Sequence, residues 1–344
     1  MSVGRHKGVT DTGRKRRRNE DSYVERPPLF AVADGMGGAQ AGEVASQIAA
    51  GALDEAADAT DGLSGRERVI ALIQEANRRV YQRSSEDAAV SGMGTTMTAA
   101  LVGDGVVWIG HVGDSRAYLV RDGALSQITE DHSLVAELVK NGKLSPEEAE
   151  THPQRSVITR ALGTDSDVDV DVFEIEPHVG DVFLIVSDGL TSMVDDETIL
   201  GLVEQHRDDL DAAARALVNA ANRGGGEDNI TVVAFDIADP AAAPLDETLQ
   251  MPAQEEPRGP EDEDTLTEVD AVPVVDPPAR VPSAVDTMVV PPGSLAELSA
   301  AHEESAAEAA QQEGRQSPAR QALGWLLVLA VALVCAALIW VLTH

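Results

Sequence analysis

Two hydrophobic patterns alternate along the first 239 residues, and both stop after Asp239. Short unbroken apolar runs read as strands buried on both faces: LFAVA (Leu29–Ala33), VVWIGHV (Val106–Val112) and VFLIV (Val182–Val186). GTTMTAALV (Gly94–Val102) and ITVVAFDI (Ile230–Ile237) read as further strands. Between them, apolar residues at three- and four-residue spacing predict helices. Val44, Ile48 and Leu53 with interleaved alanines give one. A stronger one follows Ser64, which with Glu67 makes a capping box ahead of a face of Val69, Leu72, Ile73, Ala76 and Val80. A short helix opens at Ser145 with Pro146 in its first turn, and Leu210–Asn222 reads as another that stops at Gly224-Gly225-Gly226. Asp122-Gly123 marks a hairpin turn. Taken alone, this partial alternation suggests a parallel α/β sheet.

Beyond Asp239 the pattern is lost. Residues 240–321 are rich in Pro, Asp and Glu and poor in aromatics, and they cannot bury enough apolar surface to offset chain entropy, so they are expected to form a disordered linker. Residues 322–343 carry no charge, long enough for the ~20 residues of a membrane-spanning helix. Trp325 and Trp340 fall near its ends, and Arg315 and Arg320 precede it. That asymmetry predicts a single-pass anchor in the cell membrane with residues 1–239, one globular unit, in the cytoplasm.

Charge and cysteine content narrow the chemistry. Asp and Glu number 59 against 26 Lys and Arg, a formal charge of -33, which argues against a nucleic-acid partner. The one cysteine, Cys335, lies in the C-terminal apolar run, so neither a disulfide framework nor a cysteine zinc site is expected within the chain. The N-terminus lacks the apolar core of a signal peptide.

Four aspartates share one kind of position. Asp34, Asp114 and Asp188 each follow a predicted strand, and Asp228 just precedes one. If that last strand runs antiparallel to the others, all four reach one rim of the sheet. Clustered carboxylates raise one another's pKa unless a cation sits among them. An all-oxygen set points to Mg²⁺ or Mn²⁺ rather than Zn²⁺. Each aspartate also has a plainer reading, because Asp-Gly, as in Asp34-Gly35 and Asp188-Gly189, is a common turn dipeptide.

Six motifs in order then resemble one family: RxxNED (Arg16–Asp21), ADGMGG (Ala33–Gly38), GTT (Gly94–Thr96), GDSR (Gly113–Arg116), SDGL (Ser187–Leu190) and GEDNITVV (Gly226–Val233). Over roughly residues 5–238 the chain resembles the metal-dependent type 2C (PPM) protein serine/threonine phosphatases in their bacterial form. The resemblance implies an α+β fold, a central β-sandwich of two antiparallel sheets flanked by helices on both sides. It implies two or three Mn²⁺ or Mg²⁺ ions. Asp34 would bridge two of them, with the Gly35 carbonyl, Asp188 and Asp228 as further ligands. Asp114, with Asp188 and a group near HPQRS at Ser156, would hold a third. Asp21 would orient water, Arg16 would grip the phosphate, and 131–156 would form a mobile flap. The reaction implied is attack on phosphoserine or phosphothreonine by a metal-bridging hydroxide, counteracting Ser/Thr kinases in signalling. Many eukaryotic members carry a histidine where Met36 stands, so the leaving group's acid is not identified, and His111 reads as a packed strand residue.

Two other readings compete: a catalytically dead copy serving as a binding module, and a two-metal hydrolase of small phosphoesters. For Arg14–Arg18 a basic surface patch is the alternative to a phosphate site. In the linker, Thr248, Thr265 and Thr287 each follow an acidic residue and precede Leu or Met. As phosphothreonines they would suit a phosphothreonine-binding partner; chance recurrence in an acidic segment is the alternative. A tethered enzyme would meet membrane Ser/Thr kinases and their substrates at raised effective concentration.

Overall fold

The apolar runs LFAVA, VVWIGHV and VFLIV are buried on both faces because each lies in one of two sheets, sandwiched between the other sheet and a layer of helices. In β3 (Leu29–Met36) Phe30 and Val32 face the opposite sheet, while Leu29, Ala31 and Ala33 face helices. In β11 (Val182–Val186) Phe183 and Ile185 point inward, while Val182, Leu184 and Val186 point to helices on the other side. Alternation of side chains along a strand thus serves two cores at once. This arrangement is why a parallel α/β reading is tempting: unbroken apolar runs arise wherever both faces of a strand are covered.

In this computed structural model the chain divides into two units, Met1–Val290 and Pro291–His344, and the described residues, 1–37, 41–57, 62–239 and 288–289, all fall in the first. One sheet has the order β1-β12-β11-β7-β8, from Ser2–Asp11, Ile230–Ala238, Val182–Val186, Arg116–Arg121 and Ala124–Gln127. The other runs β10-β6-β5-β3-β2, from Asp171–Ile175, Val106–Val112, Met97–Gly103, Leu29–Met36 and Asp21–Arg26, with β4 (Gly94–Thr95) beside β3. Neighbours within both sheets are antiparallel. Helices α1 (Ala41–Ala56) and α2 (Gly65–Glu86) pack on the second sheet, and α5 (Asp188–Thr191), α6 (Asp196–Gln205) and α7 (Leu210–Gly224) on the first.

Between the sheets, three of the chain's four phenylalanines stack: Phe30 on Phe235 with ring centroids 4.4 Å apart, and Phe183 on Phe235 at 5.1 Å. The predicted capping boxes at Ser64 and Ser145 are both present, and Asp122-Gly123 turns the β7–β8 hairpin with positive φ at both residues. Three sheet strands are announced by neither an apolar run nor a turn signal: β1, β2 and β10. All three are outermost strands, and β1 is largely half-buried.

The expected flap, 131–156, contains α3 (Leu134–Lys140) and α4 (Pro146–Glu150) and runs into β9 (Val157–Ile158). Met288–Val289 (β13), inside the segment expected to be linker, pairs in parallel with β9. The rest of the linker and the apolar run 322–343 lie outside the described residues. Among the described residues no helix is long and apolar enough to cross a membrane.

Candidate functional site

Sheet register decides which aspartates meet. Val186 at the end of β11 is paired with Arg116 at the start of β7 and with Val232 near the start of β12. The chain ends carrying Asp188, Asp114 and Asp228 therefore share one rim. Asp34 arrives on β3, and its partner across to β2 is Asp21. Directly opposed residues stand close enough for their charges to interact, so Asp21 joins the group through strand pairing that no local pattern announces.

The polar residues of the same motifs hold this rim together. Thr96 clamps Asp34: its Oγ1 accepts from the Asp34 N–H at 3.0 Å, and its own N–H donates to the Asp34 carbonyl at 2.9 Å. Thr96 Oγ1 also reaches Ser115 Oγ at 2.7 Å, tying the GTT motif to GDSR. Asp21 Oδ2 accepts from Ser187 Oγ at 2.9 Å and from Thr231 Oγ1 at 2.6 Å. The Asn229 side chain accepts from the Glu20 N–H at 2.7 Å and donates to the carbonyls of Thr12 and Arg18 at 2.9 Å, so it seats the loop that bears Arg16. Gly35 and Gly189 are required by close approach. A Cβ at Gly35 would lie 2.0 Å from the Gly42 carbonyl oxygen, and one at Gly189 would lie 2.0 Å from that of Asn229.

The electrostatics follow from packing five carboxylates together. Burial, then the charges of Asp21, Asp188, Asp228 and Asp114, hold the Asp34 carboxyl well above its usual range. Burial pushes Asp21 up to about 7 against the lowering pull of its two hydroxyl donors. Asp188 is raised to about 6 by burial and by Asp228, with a hydrogen bond to Asp34 and the charge of Arg16 opposing. Asp114 is raised chiefly by burial, then by Asp188 and Asp131. The cations at hand are Arg16, which donates from Nη2 to Asp228 Oδ2 at 2.8 Å and lies 3.8 Å from Glu20, and Arg116, paired with Asp131.

These residues fit a hard divalent cation. The donors are all oxygen, with neither Cys nor His among them, and Oδ1 of Asp21 and of Asp188 is buried without a hydrogen-bond partner. Among the described residues no three of these side chains are drawn into a closed ligand shell. Asp228 is instead held by Arg16 and Asp34 is hydrogen-bonded to Asp188. Asp188 and Asp228 line a small cleft together with Ser156, Arg155, Ser192 and Glu227. Arg16 thus stands beside Asp228, and Ser156 beside the Asp188–Asp228 pair. Glu227, Ser192, Arg155 and Asn229 were not singled out from the sequence. For Glu227 and Asn229 the signal was their place on either side of Asp228 in GEDN.

The model of the family described as protein phosphatase 2C matches residues 14–224. The chain belongs to the protein phosphatase 2C family. It is 42% identical over 237 residues to the serine/threonine protein phosphatase PstP of Mycobacterium tuberculosis, covering 69% of this chain but 46% of that relative. To the serine/threonine phosphatase stp of Listeria monocytogenes it is 41% identical over 233 residues, covering 65% of this chain and 92% of the relative. The crystal structure of the M. tuberculosis PstP superposes with a TM-score of 0.66 at 41% identity, covering 69% of this chain and all (100%) of that one. A second structure, the PstP catalytic domain in complex with two manganese ions, gives a TM-score of 0.64 at 39% identity. The type 2C fold of this chain, antiparallel sheets with helices outside, is that of its relatives. His111 is a fully buried residue of β6, bonded to Thr98 and to the Glu130 carbonyl, and lies outside the chemistry.

Proposed function

We propose that this chain is a Mn²⁺- or Mg²⁺-dependent protein serine/threonine phosphatase. The observation that carries the reading is the convergence of Asp21, Asp34, Asp114, Asp188 and Asp228 on one rim, with Arg16 among them. The PstP catalytic domain, solved in complex with two manganese ions, supports the choice of metal. Asp34, the Gly35 carbonyl, Asp188 and Asp228 would hold the first ions; Asp114 with Asp188 and Ser156 would hold a third. When bound, such ions lower the pKa of water from 15.7 toward roughly 7 and polarise the phosphoryl group.

The chain's own groups then position and neutralise. Two hydroxyls occupy Asp21 Oδ2, leaving Oδ1 as the acceptor that orients a water. Arg16, seated by the Asn229-anchored loop, turns from Asp228 to the phosphate as a bidentate donor. Met36 has no proton to give, so the leaving alkoxide takes its proton from elsewhere. The test is phosphate release from a phosphothreonine peptide with Mn²⁺ and with a chelator. Turnover that appears with Mn²⁺ and vanishes with the chelator is expected. No turnover with Mn²⁺ would leave a binding module, and turnover restricted to small phosphoesters would leave a different hydrolase.

The apolar run 322–343 supports a membrane anchor, with the catalytic domain in the cytoplasm and phosphorylated proteins, membrane Ser/Thr kinases and their substrates, within its reach. The acidic contexts of Thr248, Thr265 and Thr287 suit sites read by a phosphothreonine-binding domain.

A further inference from the structure

We infer that the outer edge of β9 is a docking strip for an extended peptide segment, and that its occupant is this chain's own Met288–Val289. β9 has two edges. On one, Ile158 forms an antiparallel bridge with Ser133, and the Thr159 N–H donates to the His132 carbonyl at 2.9 Å. The Val157 N–H is also engaged within the flap, donating to Gln154 at 3.1 Å. Successive N–H groups along a strand point to opposite edges, so the N–H and carbonyl of Ile158 face away from Ser133. There Met288 pairs with Val157 and Val289 with Ile158, in parallel. An edge left open is a template for any extended segment, and this one is taken.

Three features select the chain's own segment. Val285–Val290 (VDTMVV) is a run rich in β-formers within the Pro-rich linker, bounded by Pro282 and Pro291. The intervening 240–287 keeps the segment covalently joined to the sheets that carry the site. A covalent tether makes the pairing intramolecular, an advantage that a free peptide lacks.

The strip also adjoins the cleft. Ser156, next to Val157, lines it with Asp188 and Asp228. Ile158 is buried against Met36 and Ala161, and Met36 lies two residues beyond Asp34. A linker strand on β9 therefore braces the flap wall of the site, and its release loosens that wall. The linker is a cis-acting brace on the flap as well as a tether.

Amide hydrogen exchange of the full-length chain tests this without reading activity, so its outcome is separate from that of the phosphatase reading. In Met288→Pro/Val289→Pro, which removes both segment N–H groups, the Ile158 amide is expected to exchange about ten-fold or more faster, with β6 amides unchanged. Met288→Leu/Val289→Ile, which keeps the backbone, is expected to protect Ile158 like the native chain. A peptide spanning 283–293, added to the proline variant, should restore protection. Unchanged exchange at Ile158 in the proline variant overturns the proposal. Protection that weakens on dilution of the native protein also overturns it, by assigning the strip to a second copy.

Discussion

At the scale of single residues, the carboxylate cluster makes function and stability oppose each other. Asp34 faces Asp21 across a strand pair and is surrounded by three further acids, so its charge destabilises the chain without a counter-cation. Asp34→Asn should raise the stability of the chelator-treated protein by about 1 kcal/mol while removing metal-dependent turnover; chemical denaturation in the presence of a chelator reads the first effect. Gly35 is held for a steric reason, since a Cβ there would meet the Gly42 carbonyl oxygen of α1 at 2.0 Å. Gly35→Ala must separate β3 from α1 and should cost about 1–3 kcal/mol, measured by denaturation. Asp34, Asp114, Asp188 and Asp228 were legible in the sequence because each sits beside an apolar run, and Asp21 only through the RxxNED motif. The partners that make them a site were not. Thr96, Ser187, Thr231 and Asn229 act through contacts across up to 217 residues of chain, which local pattern does not encode.

At the scale of elements, apolar runs announced β3, β5, β6, β11 and β12, and capping signals announced α2 and α4. Their pairing was not announced, because a strand covered on both faces looks the same in a parallel and an antiparallel sheet; the family resemblance supplied the sandwich. β1 escaped notice because SVGRHKGVTD offers little apolar alternation, and it is held by pairing with β12. The junction of β6, β5 and the flap carries a prediction of its own. Burial, then the nearby His132, pushes the His111 imidazole down to about 3 from its usual 6.5. The folded state therefore refuses a proton that the unfolded chain accepts, so this residue's contribution is full above pH 6.5 and is lost as pH falls toward 3. The slope is about 1.4 kcal/mol per pH unit. The site carboxylates, raised by burial, slope the opposite way over part of this range. The readout is thus the difference between native chain and His111→Asn, which should shrink from pH 7 to pH 5 in denaturation experiments.

At the scale of the whole molecule, the type 2C fold lies in residues up to 239 and the C-terminal segment follows it in sequence. The region matched to the M. tuberculosis relative covers 237 residues, 69% of this chain, and spans 46% of that relative's length. The apolar stretch 322–343 predicts that the full-length chain sediments with membranes and that a chain ending at 321 does not; fractionation of cells expressing each checks it. The fold brings the starts of β7 and β12 and the end of β11 to the rim where β2 and β3 place their own acids. The account's central claim is that this rim is a metal-dependent phosphatase site. Its most direct measurement compares Mn²⁺-dependent hydrolysis of a phosphothreonine peptide by the native chain, Asp34→Asn and Asp228→Asn, with folding of each verified. The account predicts turnover in the native chain and a loss of about 100-fold or more in each variant. Turnover at the native rate in both folded variants would contradict it.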